Sequence, residues 1–102
     1  MTPEEQIQSI IEFYTSNVAS GNLIGVGKTS TAKQGKLTAF NNMLMEAQYL
    51  IENGYTGKAC NLLMAVSAKV DGKPLPPDFV AGSAALELAN KINSLIESLN
   101  CM

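Results

Sequence analysis

The stretch SGNLIGVGKTS, residues 20–30, has the composition of a phosphate-binding loop. It is glycine-rich and ends in Gly27-Lys28-Thr29, as nucleotide P-loops do, where successive backbone N–H groups wrap a phosphate. The motif Gly-x-x-x-x-Gly-Lys-Ser/Thr requires its first glycine at position 22, which is Asn22, and Gly21 stands one residue too early. The motif also follows a strand, whereas a helical pattern precedes this stretch. The spacing therefore argues against nucleotide binding.

The same residues have a structural interpretation and a binding interpretation. Glycines let the chain turn between two helices, and Leu23, Ile24 and Val26 then pack into the end of the fold. We expect these three side chains to point mostly inward. If one or more point outward, they form an apolar patch rimmed by Lys28, which is typical of a contact site. Leu23, Ile24, Val26 and Lys28 are therefore the candidate interaction loop.

The lysines near this loop leave a further alternative open. Lys28, Lys33 and Lys36 lie near the expected start of a helix, where an anion can bind. A solvated lysine face explains the same three residues.

Other residue types that support catalysis are absent or badly spaced. The chain has no histidine, which is the usual general base near neutral pH and the commonest metal ligand. A nucleophilic cysteine would need an activating base or cation, and Lys58 near Cys60 is a weak candidate. Asp71 and Asp78 lack the dense oxygen ligands of a calcium loop. We expect no catalytic residues, no metal site and no cofactor.

The two cysteines, Cys60 and Cys101, are either two buried free thiols or a disulfide. Cys60 lies near the start of the expected third helix and Cys101 at the end of the fourth. A tight hairpin would separate them by about 18 Å. The segment KPLPP, residues 73–77, is expected to be extended polyproline and can climb about 15 Å, which brings the two cysteines level. The spacing therefore favours a disulfide.

Charge and composition exclude several classes of partner. The chain has 102 residues, is 46% hydrophobic and carries a net charge of −2. All of its 7 basic residues are lysine, so arginine, the best donor to phosphate, is missing. We expect no nucleic-acid binding. The apolar runs are too short for membrane insertion.

The elements that position these residues are helical. Apolar residues recur at intervals of three and four, and Thr2-Pro3 with Glu5 is a capping box that starts the first helix. The pattern predicts a single all-α domain, a compact bundle of four amphipathic helices with no strand. Their expected bounds are about 3–20, 31–53, 57–71 and 78–100, with Thr31 and Gln34 as a second capping box.

The pattern resembles the FIMAH-type helical module of bacterial and archaeal secreted multidomain proteins. The resemblance covers nearly the whole chain, and the matching residues are Gly25, Gly27, Lys36-Leu37, Asn53-Gly54, Ala59, Leu63, Val70, Gly72-Lys73 and Ile96 to Leu99. It implies a helical module with an attachment or interaction role and no catalytic residues.

We therefore expect a non-catalytic interaction or spacer module, excised from a longer extracellular or cell-surface protein. Its partners would be proteins or neighbouring domains of the parent chain. The first alternative is a cytoplasmic helical adaptor or regulatory protein, because the polar N-terminal residues are not a signal peptide. The second is a small anion-binding protein that uses the glycine-rich bend.

The glycine spacing leads to a direct test of nucleotide binding. We expect titration with ATP or GTP to give no measurable binding, because neither the first glycine nor the preceding strand of a P-loop is in place. Isothermal titration calorimetry checks this. Saturable binding that Lys28→Ala abolishes would contradict it.

Overall fold

The computed structural model describes residues 2–72 and 78–101. In chain order the helices and strands are α1 (Pro3–Ala19), β1 (Ile24–Gly25), α2 (Ser30–Glu52), α3 (Thr56–Ser67), β2 (Val80–Ala81) and α4 (Ala85–Ser98). The predicted all-α bundle of four helices is confirmed.

The four helices stand at the corners of a square and run up and down in turn. α1 packs against α2 and α4, and α3 packs against the same two helices from the other side. Two hydrogen bonds fix α1 and α2 as antiparallel: the Gln48 amide donates to the Gln8 side chain at 2.6 Å, and the Tyr14 hydroxyl donates to the Leu37 carbonyl at 2.7 Å. One end of the bundle therefore holds the start of α1 and the end of α2.

The core is apolar throughout the part of the chain that the structure describes, with no buried polar or charged residue. Each helix contributes residues three and four apart, as the sequence predicts. Tyr14 and Phe40 stack with ring centroids 5.2 Å apart. The largest fully buried side chains are Phe40, Ile7, Leu23, Leu44, Leu63, Leu88, Ile92, Leu95, Val66 and Val80.

The predicted capping box of α1 is confirmed. The Thr2 hydroxyl accepts from the Glu5 N–H, and the Glu5 carboxylate accepts from the Thr2 N–H at 2.9 Å. The bond from the Thr2 backbone, followed by the Thr2 side chain, lowers the pKa of Glu5. The predicted box at Thr31 and Gln34 is wrong, because Thr29 caps α2 and accepts from the Ala32 N–H at 3.0 Å.

The prediction that the chain has no strand is wrong. β1 and β2 pair antiparallel, with Ile24 opposite Ala81 and Gly25 opposite Val80. The Val26 N–H extends the pairing by donating to the Phe79 carbonyl at 2.9 Å. Strands of two residues are too short to produce a recognisable alternation in the sequence. We call the paired segments the ribbon.

The ribbon also explains why the predicted starts and ends of the later helices are wrong. α3 ends at Ser67 rather than 71, and α4 begins at Ala85 rather than 78. Asp78 does not cap a helix, since its carboxylate accepts from the Gly72 N–H at 2.9 Å. Phe79 and Val80 lie in the ribbon, and Gly82 has a φ of +126°, which no helix allows. The expected polyproline at 73–77 lies outside the described residues.

The burial of Tyr14 makes the stability of the fold depend on pH in the alkaline range. Burial raises the pKa of Tyr14 to about 12, above the ordinary value of about 10. A tyrosine whose folded pKa is raised stabilises the fold below the unfolded pKa and loses that contribution as pH rises through the folded one. We therefore expect the free energy of unfolding to decrease as the pH rises from about 10 to about 12.

The variant Tyr14→Phe isolates this effect. It removes the bond to the Leu37 carbonyl, so we expect a loss of about 1 kcal/mol near neutral pH and a weaker alkaline decline. Urea unfolding across the pH range measures both. Tyr49→Phe, at an exposed tyrosine, should leave the neutral-pH value unchanged. An equal alkaline decline in wild type and Tyr14→Phe would contradict the assignment.

Candidate functional site

Two residues of the candidate interaction loop, Ile24 and Val26, lie on the outer face of the ribbon. Leu23 is only 1% exposed, whereas Ile24 is 48% and Val26 37% exposed. The expectation that these side chains point mostly inward is therefore wrong for Ile24 and Val26. Side chains alternate between the two faces of a strand. Because Leu23 is fixed in the core, the next residue points out, Gly25 points in, and Val26 points out.

The glycines of this loop allow close packing rather than phosphate binding. A Cβ atom on Gly25 would collide with the Lys33 carbonyl oxygen, and one on Gly27 would lie 2.9 Å from the Ala32 Cβ. The loop therefore presses its backbone against the first turn of α2. The Thr29 hydroxyl, which would bind a metal in a P-loop, accepts a hydrogen bond from this turn instead.

A second group of residues joins this face from distant parts of the chain. The Lys36 Nζ lies 4.0 Å from the centroid of the Phe79 ring, and the Lys69 Nζ lies 4.6 Å from it. The Phe79 N–H donates to the Lys69 carbonyl at 2.8 Å. Sequence reasoning missed this group, since no local pattern connects Phe79 with a lysine on α2.

Together these residues make one continuous surface at one end of the bundle. The Val26 N–H donates to the Phe79 carbonyl, and Gly25 lies against the Lys33 backbone. We call this surface the ribbon end and define it as Ile24, Val26, Lys28, Lys33, Lys36, Lys69 and Phe79. Lys28 and Lys33 are exposed, while Lys36, Lys69 and Phe79 are half-buried. The ribbon end is thus an apolar patch with a basic margin.

The predicted disulfide between Cys60 and Cys101 is confirmed, with the two Cα atoms 5.5 Å apart. It lies at the end of the bundle opposite the ribbon. Asn100 adopts a positive φ of 57°, and the Cys101 N–H donates to the Ile96 carbonyl at 3.3 Å. This helix-ending turn, in which Asn tolerates the left-handed conformation, directs Cys101 back towards α3.

Elsewhere in residues 2–72 and 78–101, the exposed large apolar side chains are Met45, Tyr49, Tyr55, Met64 and Leu86. A groove of about 320 Å³ lies between α1 and α4, with Ser9, Ile10 and Asn90 in its lining. Lys91 beside this groove approaches Glu87 at 3.9 Å. Within residues 2–72 and 78–101, no three His, Cys, Asp or Glu side chains are grouped to hold a metal ion. No helix in these ranges is long and apolar enough to cross a membrane.

The site and fold define a small disulfide-bonded four-helix bundle with a cross-linking ribbon. Comparisons with protein-family models, with curated proteins and with solved structures find no match to this chain. The resemblance to the FIMAH-type module therefore stays a prediction.

The disulfide can be tested by chemistry and by stability. Alkylation without reductant should label neither cysteine, and mass analysis checks this. The bond closes a loop with a sequence separation of 41. The chain-entropy model then predicts that Cys60→Ala with Cys101→Ala lowers the free energy of unfolding by about 4 kcal/mol. Ready labelling of both thiols in protein prepared under oxidising conditions would contradict the pairing.

Proposed function

We propose that this chain is a non-catalytic helical interaction module of an exported multidomain protein. The observation that carries the proposal is the outward position of Ile24 and Val26. Pairing with β2 and the anchoring of Leu23 hold both aliphatic side chains in solvent. An aliphatic pair held out of the core by the backbone is a ready contact surface.

The geometry of the bundle supports a role beside other domains. The start of α1 and Cys101 lie together at the disulfide end, opposite the ribbon end. A domain joined before residue 2 or after residue 101 would therefore leave the ribbon end free for a partner. This favours interaction over a pure spacer, which would need no exposed aliphatic pair.

The disulfide supports the exported location over the cytoplasmic alternative. Disulfides persist in oxidising compartments and are rare in the cytosol. The pairing of Cys60 with Cys101 uses both cysteines of the chain. A cytoplasmic adaptor with two reduced thiols is the weaker interpretation.

The anion-binding alternative has less support from the same loop. Gly25 and Gly27 pack closely against the first turn of α2, and the Thr29 hydroxyl already accepts the hydrogen bond that caps this helix. The packing of Gly27 and the capping by Thr29 therefore explain the Gly27-Lys28-Thr29 ending without a bound phosphate.

Selection of peptides tests the proposed function. Random peptides displayed on phage are selected on the oxidised chain, and backbone amide NMR shifts locate where they bind. We expect the shifts at residues 23–33 and 79–82. Ile24→Thr with Val26→Thr retains β-branched side chains, so the free energy of unfolding should change by less than about 0.5 kcal/mol, while peptide affinity falls about tenfold.

Met45→Gln is the matched control. Met45 on α2 is 49% exposed, nearly the same as Ile24, but it lies outside the ribbon end. The control should change neither stability nor peptide affinity. Peptides that map to the α1–α4 groove, or that are indifferent to Ile24 and Val26, would contradict the proposed function.

A further inference from the structure

We propose that the partner of the ribbon end is an acidic protein segment that also carries aliphatic side chains. This inference rests on the proposed function and specifies the chemistry of the partner.

Lysines are concentrated at one end of a chain that is acidic as a whole. Of the 7 lysines in the sequence, Lys28, Lys33, Lys36 and Lys69 lie in the ribbon end, although the net charge is −2. Four glutamates, Glu4, Glu5, Glu52 and Glu97, lie at the disulfide end, where α1 begins and α2 and α4 finish, while Glu87 lies in the first turn of α4, towards the ribbon end. An acidic segment is therefore attracted to the ribbon end and repelled from the opposite one.

Two of the lysines are held in place before any partner binds. Contact with the Phe79 ring orients the ammonium groups of Lys36 and Lys69. An ordered charge loses less conformational entropy when it pairs with a carboxylate. Lys28 and Lys33 are exposed and lie beside β1, Lys28 two residues after Val26 and Lys33 with its backbone against Gly25.

The composition of this surface favours a peptide over other polyanions. Its exposed side chains Ile24 and Val26 are aliphatic and offer leucine-like side chains a contact. Its aromatic ring, Phe79, is half-buried and already in contact with Lys36 and Lys69, so it is a poor stacking surface for nucleobases. Asp71 and Asp78 lie at the same end of the bundle. A uniformly anionic membrane or polysaccharide would place negative charge against them, whereas a peptide can place its carboxylates opposite the lysines alone.

The selected peptides test the inference through their composition. We expect an excess of Asp and Glu together with aliphatic residues. Synthetic copies in which Gln and Asn replace the acids should bind at least fivefold more weakly by fluorescence anisotropy. Affinity of the acidic peptide should fall with added salt, because the screening length shrinks from about 8 Å to about 3 Å between physiological salt and 1 M.

Charge reversal places the acidic contact on the chain. Lys28→Glu with Lys33→Glu should lower affinity for the acidic peptide about tenfold. Lys58→Glu is the matched control. Like Lys33, Lys58 lies in the first turn of a helix, but at the disulfide end. A glutamate near a helix N-terminus is favourable at either position, so neither change should destabilise the fold. The control should leave affinity unchanged.

The outcomes separate the inference from the proposed function. Peptides that bind at the ribbon end without an acidic excess would overturn the inference and leave the proposed function standing. Peptides that bind elsewhere would overturn both. Phosphatidylserine vesicles or heparin that bind the ribbon end more tightly than the acidic peptides would overturn the inference in favour of a membrane or polysaccharide.

Discussion

The pairing of β1 with β2 is the contact on which the rest of the molecule depends. The ribbon joins the connection between α1 and α2 to the connection between α3 and α4, two segments that are far apart in sequence. It lies against the first turn of α2 because Gly25 has no side chain to keep the backbones apart. Hydrogen bonds from Phe79 and Val80 to the Lys69 carbonyl attach it to the end of α3 as well. One short pairing thus joins two connections and rests both on α2 and on the segment that follows α3.

The consequences of this pairing reach the far end of the bundle. Because β2 and the turn at Gly82 delay the start of α4, that helix descends beside α3 in a fixed register. Ser67 meets Asn93, with the serine hydroxyl 3.0 Å from the amide oxygen. From this contact, Cys60 lies seven residues back along α3 and Cys101 eight residues on from Asn93, so the two cysteines reach the same level of the bundle. The ribbon and the disulfide therefore close the α3–α4 pair from opposite ends, which limits how far the two helices can slide.

The same pairing separates packing from binding within one short segment. Strand alternation assigns Leu23 to the core and Ile24 to solvent, although both are aliphatic and adjacent. Ala84 donates its N–H to the Asn22 carbonyl at 3.1 Å, which fastens the segment just before Leu23. A loop anchored on both sides presents its outward residues on a rigid support, and such pre-organisation lowers the entropy lost on binding.

The sequence by itself determined the four helices, their apolar faces, the capping box at Thr2 and Glu5 and the disulfide. These depend on local periodicity, on caps within one turn and on helix lengths, all of which can be read along the chain. The spacing of its glycines also argued against a P-loop, and this exclusion stays a prediction. Only the tertiary structure decided the ribbon, the late start of α4, the outward position of Ile24 and Val26 and the meeting of Phe79 with Lys36 and Lys69. Each of these depends on contacts between residues distant in sequence. Strands of two residues have too few side chains to give a pattern from which such contacts could be predicted.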